Sequence, residues 1–179
     1  MNRFHNKRRC EAGMTLIELL IAGAVLTVGM LSIMGLLMLA VGNNGRSKID
    51  TSATMLTQAV LEQISAKLAG GGPGTLTDCN GTGTTWTINY SSSTSGQGAN
   101  LSGGTIDFTQ AQSNVPAGYY MNYVECSGNV QSTYDVRWNV ESLSGTNTYL
   151  VTVGARPSGG LPSRFSFSIP VTLRTYVGN

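Results

Sequence analysis

Apolar residues follow three successive patterns along this chain. From Met14 to Val41 the sequence reads MTLIELLIAGAVLTVGMLSIMGLLMLAV, an apolar run interrupted by a single acid, Glu18. A helix rises ~1.5 Å per residue, so ~20 apolar residues cross the hydrocarbon core of a bilayer. The run exceeds that length and predicts a membrane-spanning helix over 14–41. Beyond it, Ile49, Ala53, Leu56, Val60, Ile64 and Lys67/Leu68 recur at three- and four-residue spacing. That stripe predicts an amphipathic helix within 42–72, stopped by AGGGPG at 69–74 through its glycines and Pro73. Between the two lies GNNG at 42–45, whose poor helix propensity predicts a kink or local melting. If the helix runs through, Met14 to Leu68 measures about 80 Å.

From Thr75 the pattern changes to alternation within a Ser-, Thr-, Gly- and Asn-rich background. TTWTINY, GTIDFTQ, YYMNYVEC, YDVRWNVES, TYLVTVGAR and FSFSIPVTLRTYV predict strands. SLSGTNTY reads as a hairpin turn, and SSSTSGQGANLSGG and RPSGGLPSR read as loops. Short connections favour antiparallel pairing, and no crossover helices are predicted. The expected fold class is α+β: a long N-terminal helix, half membrane and half amphipathic, packed on an antiparallel sheet formed within 73–179.

Charge sharpens this division. The net formal charge of +2 is concentrated in the head, because Arg3, Lys7, Arg8 and Arg9 all precede Gly13. The remainder is close to neutral and carries no basic patch that would suit nucleic acid. Basic residues flank the apolar run on its N-terminal side, so the head is expected in the cytoplasm and the rest exported. A cleaved secretory signal would have an apolar core of only ~7–15 residues, shorter than this one. Cys10 lies in the head, and Cys79 and Cys126 in the polar part. Two cysteines in an exported domain predict one disulfide, Cys79–Cys126.

Enzymatic chemistry finds little support. The one histidine, His5, is in the head, so a Ser-His-Asp triad or a histidine metal site is excluded from the exported part. The acids are scattered, with no close pair of the glycosidase kind. No phosphate-cradling glycine pattern lies between a strand and a helix. No cofactor, metal or small-molecule substrate is expected.

Glu18 is therefore the residue that needs a reason. An ionised acid in the bilayer costs roughly 2.5–3.5 kcal/mol on insertion scales. Two readings are open. In one, Glu18 lies at the cytoplasmic edge and stays hydrated or protonated. In the other, a cut after Gly13 frees the α-amine of Met14, and an ammonium from the same or a neighbouring chain pairs with the carboxylate in a low-dielectric setting. Met14 and Glu18 are four apart, the spacing of one helical face.

A basic head, a glycine and then M-T-L-I-E-L-L resembles the prepilin leader of type IV pilins and of type II secretion pseudopilins. The resemblance implies that a prepilin peptidase removes residues 1–13, cutting between Gly13 and Met14, and methylates the new N-terminus at Met14. It also implies that Glu18, the fifth mature residue, serves assembly with other pilin subunits through the N-terminal helix. YDVRWNVESLSGTNTYLVTVGARP is similar to the end of PilV-type minor pilins. Family N-termini are mostly Phe, and major pilins pair cysteines near the C-terminus. Met14 and the position of Cys79 directly after the helix favour a minor subunit. The expected function is a minor type IV pilin that helps initiate or tip pilus assembly. It is expected in the inner membrane before assembly and in the periplasmic or extracellular pilus afterwards. A type II secretion minor pseudopilin and a membrane-anchored exported binding or adhesion domain are the alternatives.

Overall fold

The computed structural model describes residues 14–72, 74–127, 130–159 and 169–178. The predicted leader, including Gly13, lies outside the described residues. The chain divides into two compact units between Asn44 and Gly45.

One helix, α1, runs from Leu16 to Leu68. Its helical hydrogen bonding continues through GNNG, against the expected local melting. Two glycines and two asparagines cost helix propensity of about 1 kcal/mol or less each, which long helical stretches on both sides absorb. The helix ends where the glycines predict. Gly70 takes φ 85°, its N–H donates to the Lys67 carbonyl, and the Gly71 N–H donates to that of Ala66. This pair of bonds is a Schellman C-cap, and it needs a residue that tolerates positive φ.

In the second unit the polar sequence folds as short hairpins and one large sheet. β1 (Thr75–Thr77) pairs antiparallel with β2 (Thr85–Thr87). β3 (Gln97–Gly98), β4 (Leu101–Ser102) and β5 (Thr105–Ile106) follow, β4 pairing with β5. β6 (Tyr120–Ser127), β7 (Val130–Ser142), β8 (Thr148–Gly159) and β9 (Val171–Gly178) complete the order. The five-stranded sheet has β7 and β8 at its centre and β9 on the far side of β8. On the other edge of β7, β6 pairs along 130–137 and β3 continues at Asn139 and Val140. All strand pairs are antiparallel.

Several predicted elements change in extent. TTWTINY shrinks to Thr85–Thr87 and GTIDFTQ to Thr105–Ile106. The stretch read as one loop at 91–104 contains β3 and β4, because its glycines let the backbone approach the sheet. At Gly98, with φ 119°, any Cβ would collide with the Trp138 carbonyl and the Tyr119 ring. The loop predicted from Arg156 is strand as far as Gly159. In FSFSIPVTLRTYV the described strand starts at Val171, after Pro170, and residues 165–168 lie outside the described residues. The predicted turn in SLSGTNTY closes the β7–β8 hairpin, with the Leu143 N–H donating to Thr148 O at 2.9 Å.

Alternation gives the sheet two dissimilar faces. Tyr134, Val136, Trp138 and Val140 of β7 and Val151, Val153 and Ala155 of β8 lie on one face, opposite each other in register. They form a single buried core with Ala53, Leu56, Val60 and Ile64 of α1. The predicted stripe is thus buried from Ala53 to Ile64, and its ends at Ile49 and Leu68 are partly buried against the same core. Ser52 Oγ adds a hydrogen bond to Glu125 Oε1 of β6 at 3.0 Å.

The other face is buried but polar. Asp135, Arg137, Asn139 and Thr152 are all less than a tenth exposed. The Arg137 guanidinium grips Asp135 through Nε at 2.9 Å and Nη2 at 2.8 Å, and donates through Nη1 to the Gln110 carbonyl at 2.7 Å. Arg156 bonds the same carboxylate at 3.1 Å. Both guanidiniums lie over the Phe108 ring, at 5.3 and 4.9 Å. Gln112 joins Asn122 and Asp135 at 2.9 and 3.2 Å. The stretch from Phe108 to Gln112 is thereby fixed to the sheet by an ionic network, where an apolar layer would be the ordinary solution.

Candidate functional site

The first site is the start of α1. Leu16 is the first helical residue, which makes Thr15 the N-cap and Glu18 the third helical position. Thr15 N–H donates to Glu18 Oε2 at 2.9 Å, and Thr15 Oγ1 donates to the same oxygen at 3.0 Å. Glu18 N–H donates back to Thr15 Oγ1 at 3.3 Å. This is a capping box, which satisfies backbone donors that no helical carbonyl reaches. Its negative end also sits at the positive end of the helix dipole.

The geometry corrects one expectation. Met14 precedes the helix, so its four-residue separation from Glu18 is not a helical spacing, and the contact that forms comes from Thr15. The signal was present in the chain: T-L-I-E is a threonine followed three residues later by an acid at the head of an apolar run. Glu18 thus has a structural partner within its own chain. Among the described residues no donor reaches its second oxygen, Oε1, which can accept a cation from elsewhere.

Residues 14–41 are exposed throughout, with Leu16, Met38 and Val41 at 78%, 79% and 73%. The helix is long and apolar enough to cross a membrane. Its hydroxyls are internally satisfied: Thr27 Oγ1 donates to the Ala24 carbonyl at 2.8 Å and Ser32 Oγ to that of Val28 at 2.9 Å. An unsatisfied hydroxyl would be costly in hydrocarbon, and these two are silent there.

The second site is the disulfide. Cys79 and Cys126 are bonded, with Cα atoms 6.0 Å apart, as the sequence predicts. The bond joins the end of β1 to the outer edge of β6. Asp78, buried beside it, does the rest of the joining. Its Oδ1 accepts from the backbone N–H of Asn80 at 3.0 Å and of Thr84 at 2.8 Å. Its Oδ2 accepts from Trp86 Nε1 at 2.9 Å and from Val124 N–H at 3.4 Å. The Cys79 N–H donates to Val124 O at 3.2 Å. Burial alone would push the Asp78 carboxyl up. The Trp86, Thr84, Asn80 and Val124 donors together outweigh it and hold the group below its usual range. A side chain and one residue of backbone thus cover an edge of β6 that would otherwise invite further pairing.

Sequence reasoning missed Thr15, Asp78 and the Asp135–Arg137–Arg156 network. For the last, D-x-R in a strand places opposite charges on one face, a legible but non-specific signal. Among the described residues no group of three or more His, Cys, Asp or Glu side chains could hold a metal ion.

The fold and these sites define a class: an α+β protein whose N-terminal helix begins in an apolar, membrane-length stretch and whose sheet domain carries one disulfide. Beyond that class, no protein-family model, curated protein or solved structure matches the chain.

Proposed function

We propose that this chain is a minor type IV pilin, a structural subunit that helps start or tip a pilus after a prepilin peptidase cuts between Gly13 and Met14. The carrying observation is the order basic head, Gly13, Met14, Glu18 and apolar run at the start of a helix whose first part is exposed and whose second part is sheathed by a sheet. Cleavage creates an ammonium on Met14, close in sequence to a carboxylate with one oxygen engaged and one available. Methylation of that amine keeps its charge. In the membrane the subunit is single-pass with its N-terminus in the cytoplasm. In the filament Glu18 Oε1 receives the Met14 ammonium of an adjacent subunit, and the pair sets the register of assembly.

The test is the mature N-terminus, read by mass spectrometry on the purified chain. It should begin at N-methylated Met14, and Gly13→Glu should leave the leader attached. A mature chain starting at Met14 in the Gly13→Glu variant would sink the reading. Glu18→Ala should still be cleaved yet be missing from sheared pili, whereas a wild-type level in pili would reduce Glu18 to its capping role alone. Loss of type II protein export on deleting this subunit, with pili unaffected, would assign the chain to the pseudopilins instead.

A further inference from the structure

Asn-Gly occurs twice in the chain, at Asn44–Gly45 and at Asn80–Gly81. This pair is open to attack by its own backbone. Glycine puts no side chain beside the following peptide nitrogen and leaves the backbone free to turn. The fold treats the two copies differently. Asn44 and Gly45 lie inside α1, which runs from Leu16 to Leu68. In a helix the N–H of residue 45 is directed at the carbonyl four residues back, away from the side chain before it.

Asn80 and Gly81 lie between β1 and β2, and both are exposed. Gly81 takes φ 60°, and a Cβ built on it would meet nothing within 4 Å. Among the described residues the Gly81 N–H donates no hydrogen bond, and the Asn80 side-chain amide makes none. The backbone on either side is held. Asn80 N–H donates to Asp78 Oδ1 at 3.0 Å, and Asn80 O accepts from Gly83 N–H at 2.9 Å. A free side-chain amide thus stands beside a free, unshielded backbone nitrogen while the protein is folded.

We propose that Asn80 is a site of spontaneous deamidation in the folded protein and that Asn44 is protected from it. The Gly81 nitrogen gives up its proton and bonds to Asn80 Cγ. The bond from Cγ to the side-chain nitrogen breaks, and that nitrogen leaves with the proton as ammonia. Water then opens the resulting five-membered imide. Cleavage between the Gly81 nitrogen and Cγ leaves aspartate at position 80. Cleavage between that nitrogen and the backbone carbonyl carbon leaves isoaspartate, with the chain running through Cγ. Either product puts a new carboxylate next to Cys79 and two residues from Asp78. Isoaspartate also adds one methylene to the backbone between Asn80 N–H and Thr84 N–H, the two donors that Asp78 Oδ1 holds at 3.0 and 2.8 Å. At least one of those bonds then lengthens, and the turn beside the disulfide loosens. The inference uses neither Gly13 nor Glu18 and stands apart from the assembly reading.

The experiment ages the full, folded chain in detergent in a mildly alkaline buffer, with the Cys79–Cys126 bond intact. Samples are then digested at acidic pH, and both Asn-Gly segments are read by mass spectrometry. Asn80 should convert to the acid about ten times faster than Asn44 or more, since reaction at Asn44 waits for local opening of the helix. In short synthetic peptides spanning 41–47 and 77–83 the two rates should converge. Isoaspartyl methyltransferase with a labelled methyl donor should label the aged chain. Asn80→Gln, whose imide would need a six-membered ring, should abolish that label and leave Trp fluorescence unchanged. Hydrogen exchange at the Thr84 amide should speed up on ageing. Equal rates at Asn80 and Asn44 in the folded chain would overturn the inference. So would rates that stay equally far apart in the peptides, or a methyl label that survives in Asn80→Gln.

Discussion

The two parts of α1 share a backbone and differ in everything that backbone faces. Between Leu16 and Val41 every side chain is exposed, and the local structure is held by its own helical bonds, the Thr15–Glu18 cap and two hydroxyls folded back on carbonyls. Between Ser52 and Ile64 the apolar stripe is buried against a sheet. The first stretch is apolar all round and the second on one side only. All-round apolarity requires an apolar solvent or other helices, whereas a stripe can be satisfied by one sheet face. Helix propensity is not what distinguishes them, since GNNG at the junction is helical too.

That contrast predicts where damage stays. The largest effect should come from the polar face of the sheet. Arg137→Ala takes away the bidentate partner of the buried Asp135 carboxylate, leaving it to Arg156 and Gln112, and releases Phe108 and Gln110, costing up to about 5 kcal/mol. Arg137→Met, which fills the volume, should recover part of the loss only when Asp135 is also replaced by an apolar residue. Thermal unfolding of the detergent-solubilised chain is the measurement. If Arg137→Ala changed membrane insertion rather than unfolding, the separation of the two regions would be wrong.

Next is the disulfide. Closing a loop with a sequence separation of 47 is worth about 4 kcal/mol in the chain-entropy model. Cys79→Ser with Cys126→Ser should destabilise the sheet domain by that order and leave insertion of the apolar stretch intact. Urea titration followed by Trp fluorescence reads the first, and membrane fractionation reads the second.

A matched pair of truncations tests the contrast within α1. Ile64→Ala removes a side chain with 0% exposure and should cost the domain about 3 kcal/mol. Ile33→Ala, at 59% exposure, should leave domain stability unchanged. Equal effects would mean that the apolar stretch is packed on protein in the isolated subunit.

Asp78 should give an acid limb to stability, smaller than these losses, because its charge satisfies desolvated donors. Its folded pKa lies below the unfolded one, so its contribution is fully present above about pH 4 and is lost as pH falls through the lower, folded value. Asp78→Asn should therefore be less stable at neutral pH and nearly equal to wild type in strong acid. Trp86, which donates to this carboxylate, is the local reporter.

The smallest effect, about 1 kcal/mol, belongs to the cap. Thr15→Val should speed hydrogen exchange at the first helical amides, Thr15→Ser should not, and neither should touch the sheet domain.

Much of the chain was readable from local sequence. The apolar run, the stripe from Ala53 to Ile64, the Gly70 stop, the β7–β8 hairpin and the Cys79–Cys126 pair all follow from spacing, turn chemistry or cysteine count, which are one-dimensional signals. The Thr15 cap was equally local and was overlooked because the acid, not the threonine before it, looked anomalous. Continuity through GNNG was decided by cooperativity, since flanking helical turns lower the cost of helix for weak residues between them. What only tertiary structure decided is long-range. Asp78 finds Val124, and Arg137 finds Gln110, across intervals that carry no periodicity. The polar face of β7 is alternation that sequence assigns to water. It is buried because the segment carrying Ile106, Phe108, Gln110 and Gln112 folds over it, close against Gly154, and satisfies its charges. Alternation records which residues share a face, but whether a polar face meets solvent or a covering loop depends on where the rest of the chain goes.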